Sequence, residues 1–407
     1  MDLVNLNSFL KFGYFLDYKN PNITFDFSGI DKEKYKNVTE DELVDIGIKL
    51  WKEAIQKQFN PNEKHVVPLS GGLDSRAILA TLLEFTKAEN IYTYTFGTPK
   101  TLDFDIGNLL AKKVGTNHTK YPLTEYKYDV EELIDISKRI DHQTLLFLHP
   151  PVSEIDRLFS DFNVWSGTII DVFFGRHTHI QKANSWENAI NNSFKENEFV
   201  TSIDLTNVED EQYFKFINYD DDLKDTLVLE HVIDLLNRQL KFIAPHVLMK
   251  GYKYKLLLDK SLTRFALSID NSLLENQYLY KKMFLRGFPK LFSLPTKSNF
   301  GLPLNTGRVK VLGKRLVNKM KRISNKFINI FPNPGINYID FNEGIRNRED
   351  IKKIVYRNIM DLKQRKIVDW IDIDEIWKRH INKTADHADA LLTLASLEIH
   401  LKAGKKI

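Results

Sequence analysis

The chain has 407 residues, 43% of them apolar and 28% charged, with a formal charge of +4 and no cysteine. Such a length holds two or three domains, or one large α/β unit with helical additions, and the composition is that of a globular protein. Without cysteine there are no disulfides, thiolate zinc sites, iron–sulfur clusters or cysteine nucleophile, and so small a net charge argues against nucleic acid as the main partner.

The start, Met1-Asp2-Leu3-Val4-Asn5, lacks the basic segment and apolar core of a signal peptide, and no window is apolar for the length of a bilayer span. A cytoplasmic location without a membrane span is therefore expected. Phe9, Phe12, Tyr14 and Phe15 form an early aromatic cluster. Thr39 with Glu42 is a capping-box signature, and the helix it opens places Leu43, Ile46, Leu50 and Ala54 on one face. From His65 the pattern alternates between strand and helix. Val66, Val67 and Leu69 make a strand, Ser70-Gly71-Gly72 a turn of small residues, and Ile78, Leu82 and Phe85 the buried face of the next helix. Ile91 to Phe96 is a second strand, ended by Gly97. A helix with Ile106, Leu109, Leu110 and Val114 on its face stops at Gly115. His118–Tyr121 and Asn163–Trp165 read as the third and fourth strands.

Strands alternating with helices predict an α/β fold with a doubly wound, mostly parallel sheet. Ligands bind such sheets at the carboxyl ends of the strands, which puts Ser70, Phe96 and Ser166 along one edge. From Ile180 onward helical periodicity dominates and strand signals fade, which predicts a large helical C-terminal half. Glu209-Asp210-Glu211 and Asp220-Asp221-Asp222 read as solvated loops or caps. Asp259 caps a helix carrying Leu262, Phe265, Ala266 and Ile269. Val309, Leu312, Leu316, Met320, Ile323 and Phe327 recur at spacings of three and four, interleaved with lysine and arginine. That pattern is a basic amphipathic helix, expected to lie on the surface with its basic face in water, although such helices also bind membranes or phosphates. Pro332 and Pro334 break the chain, and a last helix with Leu391, Leu394, Leu397 and Leu401 stops at Gly404.

The stretch Ser70-Gly71-Gly72-Leu73-Asp74-Ser75 carries the chemistry. A strand, a glycine turn and a helix N-terminus turn unpaired N–H groups and a positive dipole end toward one spot, which makes an anion site. No lysine follows the second glycine, so it is not the Walker phosphate loop. Asp74 reads either as a helix cap or, beside a polyphosphate, as a magnesium ligand. His177-Thr178-His179 lacks a third ligand at metal-site spacing and reads as a loop feature.

The Ser70–Ser75 run resembles the pyrophosphate loop of the asparagine synthetase family of ATP pyrophosphatases, which includes the β-lactam synthetases and lasso-peptide cyclases. Ser166-Gly167-Thr168-Ile169-Ile170-Asp171-Val172-Phe173-Phe174-Gly175 resembles the family's S-G-E-G-x-D-E-x-F-G run, and Thr296-Lys297-Ser298-Asn299-Phe300-Gly301 its lysine loop. Phe9 to Tyr14, Leu256 to Ser268 and Leu391 to Leu401 are looser likenesses. The resemblance implies an adenine-nucleotide α-hydrolase-like fold that uses ATP and Mg²⁺. It implies that Asp74 and Asp171 clamp one or two Mg²⁺ ions on the departing pyrophosphate, and that Ser166 and Gly167 line the nucleotide. It further implies that Phe96 and Gly97 hold adenine through the backbone, that Leu69 packs beside the nucleotide, and that Lys297 faces the α-phosphate. Residues 1–60 would be a leading segment and helix, 61–180 the ATP-pyrophosphatase core, and 181–407 the helical completion of the synthetase domain.

Two departures from the family pattern bear on the chemistry. The acid that supports formation or collapse of the acyl adenylate falls on Thr168, and the second acid of the D-E pair is Val172. The N-terminal glutaminase domain of the family is not expected here. The implied activity is an AMP-forming amide-bond ligase or amidotransferase that adenylates a carboxylate. The carboxylate would belong to a small molecule, a peptide or a glycan, and the nitrogen would come from ammonia, an amine or a separate glutaminase subunit. Its rivals are a catalytically impaired scaffold, favoured by Thr168 and Val172, and a tRNA-modifying ATP pyrophosphatase, disfavoured by the balanced charge.

Overall fold

A computed structural model describes residues 2–176, 183–220, 223, 226–325 and 338–406, with the backbone alone for 321–325. His177-Thr178-His179, Asp221-Asp222, Phe327, Pro332 and Pro334 lie outside the described residues. Five parallel strands form one sheet: β1 (His65–Pro68), β2 (Ile91–Gly97), β3 (Asn117–Pro122), β4 (Asn163–Ser166) and β5 (Lys253–Leu256). Their spatial order is β3-β2-β1-β4-β5. His65 is in register with Ile91 on one side and with Asn163 on the other. Val66 and Val67 are fully buried, as a central parallel strand covered on both faces requires.

The chain runs outward from β1 to β2 and β3, then crosses back to place β4 on β1's other side. The crevice between the ends of β1 and β4 is therefore the topological switch point of the sheet, where doubly wound folds bind ligands. Helix Asp74–Leu82 joins β1 to β2, and Leu102–Val114 joins β2 to β3 and ends on Gly115 in the left-handed region (φ 86°). On one side of the sheet Trp51, Phe265, Met283 and Phe284 build the largest core. On the other, Tyr94, Tyr121, Phe159 and Val164 pack together. The C-terminal helix Ala388–Lys402 is buried on nearly all sides, its Leu391, Leu394 and Leu397 among helices Val130–Arg139 and Glu349–Arg365.

The capping box closes as the sequence predicts, with Thr39 accepting from the Glu42 N–H and Glu42 from the Thr39 N–H at 2.9 Å. Asp259 likewise caps helix Lys260–Ser268. Three local expectations are corrected. Strands do not end before residue 180, because Lys253–Leu256 supplies β5; with four residues and alternating Lys-Tyr-Lys, it carries the weak signal of an exposed edge. Leu69 lies one residue past β1, although its N–H still donates to the Tyr94 carbonyl at 2.7 Å. Asp74 is not the cap: the N-cap position is Leu73, whose side chain makes no capping hydrogen bond. The basic helix forms over Arg308–Asn325 with Arg308, Lys310, Lys314, Arg315 and Lys319 in water, as expected, and its apolar side points outward too, with Val309, Leu312, Leu316 and Met320 exposed.

Candidate active site

A cavity of about 400 Å³ opens at the carboxyl edge of the sheet, a volume within the range of small-molecule sites. The segments after β1 and β4 meet there because those strands are neighbours. Ser70, Asp74, Ser75, Phe96, Ser166, Gly167, Thr168 and Asp171 all line it. Leu69, Gly71, Gly72, Leu73, Gly97 and Lys297 stand behind or beside that wall rather than on it.

The first turn is held by the rest of the fold. Leu69's carbonyl accepts from the Thr95 hydroxyl at 2.9 Å, and the Gly71 carbonyl accepts from the Lys297 N–H at 2.8 Å. Asp103, in the first turn of helix Leu102–Val114, accepts from the Gly71 N–H at 3.1 Å and pairs with the Lys297 ammonium. One carboxylate thus takes up two donors of the kind that phosphate would otherwise engage. Arg76, fully buried, donates to the carbonyls of Leu291 and Leu294 at 3.0 Å each and of Pro295 at 2.5 Å. Its burial lowers its affinity for the proton to a pKa of about 10. Three carbonyls around one guanidinium tether the Lys297 loop to the helix that begins at Asp74.

At the second turn, contact between the two segments is so close that a Cβ on Gly167 would lie 2.4 Å from the Asp74 Cβ. Ser166 Oγ accepts from the Thr168 N–H at 3.2 Å and lies 2.6 Å from the Thr168 hydroxyl. Ile169 takes φ of +78°, where the family pattern has glycine. A β-branched residue there is strained by roughly 1–2 kcal/mol, which the burial of its side chain offsets.

Asp74 and Asp171 define the electrostatics. Burial and the charge of Asp171 push the Asp74 carboxyl up to about 7. Tyr280, its own hydroxyl held well above the usual tyrosine range by burial and by Asp74, donates to Asp74 at 2.6 Å. Asp171 is buried and paired with Arg176 at 2.5 Å. A buried carboxyl kept from ionising by the carboxylate beside it fits a cation placed between the two. No group of three His, Asp or Glu converges among the described residues, so a metal here would complete its shell with phosphate oxygens and water, as Mg²⁺ does. Val172 cannot join them: its side chain is in the core, and its carbonyl accepts from His231 at 2.8 Å.

The opposite wall comes from sequence that carried no motif. A π-helix, Asp234–Ile243, brings Arg238 and Gln239 to the cavity, alongside His149, His246, Tyr252 and Tyr254. Sequence reasoning missed these, and also Arg76, Asp103, Arg176 and Tyr280. An arginine within the apolar run of the Asp74–Leu82 helix was the one signal available.

Residues 49–148 match the family model for asparagine synthase. The match spans β1 to β3 with the Ser70–Ser75 turn, less than half of the chain, and stops short of Ser166 and Lys297. No curated protein matches the sequence. Among the described residues no helix is long and apolar enough to cross a membrane.

Proposed function

We propose, with an asparagine synthase domain over residues 49–148 as the premise, that the protein is an ATP-dependent, AMP-forming carbon–nitrogen ligase. A substrate carboxylate oxygen attacks the α-phosphorus of ATP, the bond to the β-phosphate oxygen breaks, and pyrophosphate leaves. The nitrogen of ammonia or an amine then attacks the acyl carbon, AMP leaves with the acyl oxygen, and the nitrogen loses a proton. The observation that carries this reading is the convergence of Asp74 and Asp171 on one cavity wall at the switch point, next to a helix start whose N-cap residue, Leu73, makes no capping hydrogen bond.

The first N–H groups of that helix receive the pyrophosphate. Asp74 and Asp171 would hold Mg²⁺, which would supply charge neutralisation for the leaving group. Lys297 exchanges Asp103 for the α-phosphate, where one such donor is worth on the order of 3 kcal/mol. Phe96 and Gly97 border the adenine, with Ser166 and Gly167 along the nucleotide. Arg238, Gln239 and the Tyr252–Tyr254 side are left for the carboxylate substrate and its nucleophile. Thr168 carries no charge, so it orients Ser166 and cannot take the proton from the attacking nitrogen.

The test is release of pyrophosphate and AMP from ATP and Mg²⁺ across a panel of amino-acid, peptide and uronic carboxylates, with ammonia and glutamine compared. Carboxylate-dependent release that falls about 100-fold or more in Asp74→Asn is expected. A second reading, a nucleotide-binding scaffold, is favoured by Thr168, Val172 and the Arg176 pair on Asp171. ATP binding with no pyrophosphate release from any carboxylate would establish it in place of the ligase.

A further inference from the structure

The helix Arg308–Asn325 contains seven Lys and Arg residues and no Asp or Glu, so that the remainder of a chain of net charge +4 is net negative. A surface helix ordinarily turns its apolar stripe to the core. This one does the reverse. Val309, Leu312, Leu316 and Met320 recur at spacings of three and four and are 84%, 56%, 62% and 69% exposed. The half-buried residues are Val311 and Asn318, two turns apart on the opposite side. Cations border the stripe along both edges: Arg315 and Lys319 beside Leu312, and Lys310 beside Val317.

We propose that this helix docks the protein peripherally on an anionic lipid surface, its apolar stripe in the interface and its cations among the headgroups. Charge decides between occupants. A second copy of the helix laid against the stripe would bring two sets of flanking cations together without a counter-charge. A nucleic acid would engage the cations and leave the stripe in water. An anionic interface satisfies both at once, because long basic side chains reach headgroups while the stripe enters the acyl boundary.

The full chain is tested by flotation with phosphatidylcholine vesicles and with vesicles mixing phosphatidylglycerol into phosphatidylcholine, at low and high salt. Binding to the mixed vesicles that weakens with salt is expected, with loss in Leu312→Glu/Leu316→Glu. Lys310→Gln and Lys314→Gln are expected to weaken it about fivefold for each charge removed. All four side chains are exposed, and far-UV circular dichroism checks that each variant is folded as the parent is. The proposal is overturned by absence of flotation, by equal binding to pure phosphatidylcholine, or by a Leu312→Glu/Leu316→Glu chain that floats like the parent. A chain that elutes as a dimer broken by that double substitution, or that binds RNA instead of vesicles, overturns it as well.

Discussion

Arg76 does at the scale of one residue what a disulfide does in other folds: it ties two distant segments at one point. Removing the guanidinium takes a donor from the carbonyls of Leu291, Leu294 and Pro295, and of these Leu291 keeps the Leu294 N–H. Each orphaned carbonyl costs about 1–3 kcal/mol, so Arg76→Ala should destabilise the protein by roughly 3–5 kcal/mol in urea unfolding. Asp103→Asn should act in the opposite sense on the nucleotide. Its Oδ1 can still accept from Gly71, while Lys297 loses the charge of this one partner. ATP should then bind about fivefold more tightly, a gain of roughly 1 kcal/mol measurable by calorimetry, since the lost ion pair is partly screened, its side chains 35% and 16% exposed.

Elements meet at this site with no room to spare. Gly167→Ala forces a methyl against the Asp74 Cβ and must push the β4 segment off the β1 segment. It should lower stability by about 1–3 kcal/mol and suppress nucleotide binding together, read out by thermal shift with and without ATP. The first four strands and the turns that follow β1 and β4 were legible in the sequence, because alternation, glycine and small residues are local signals. β5 was not, since four residues of Lys-Tyr-Lys-Leu carry little pattern and become a strand only by pairing with β4. The same holds within the site. Asp103 reads as an ordinary acid at a helix start, Tyr280 as a core aromatic, and the π-helix that presents Arg238 has apolar spacing close to that of an α-helix. Their roles are set by contacts from remote sequence, which composition and periodicity do not encode.

For the molecule as a whole, buried imidazoles set the response to acid. Burial holds His246 at about 4 and His400 at about 3, with His400 between the Ser137 hydroxyl and the Thr144 carbonyl. Below the ordinary histidine range the unfolded chain takes up protons that the folded chain refuses. Stability present at neutral pH is therefore lost as pH falls from about 6.5 toward 4, by about 1.4 kcal/mol per pH unit for each histidine. Thermal midpoints recorded against pH should drop accordingly, with a shallower slope in His246→Gln. The order of the strands has an effect in time as well. β1 is gripped on both sides, whereas β5 reaches its place only after the long excursion from β4 and has one neighbour. Amide protons of β5 should exchange with deuterium well before those of β1, and the wall carrying Arg238 and Tyr254 should loosen with it, so that the cleft parts along its acceptor side while the phosphate side stays shut.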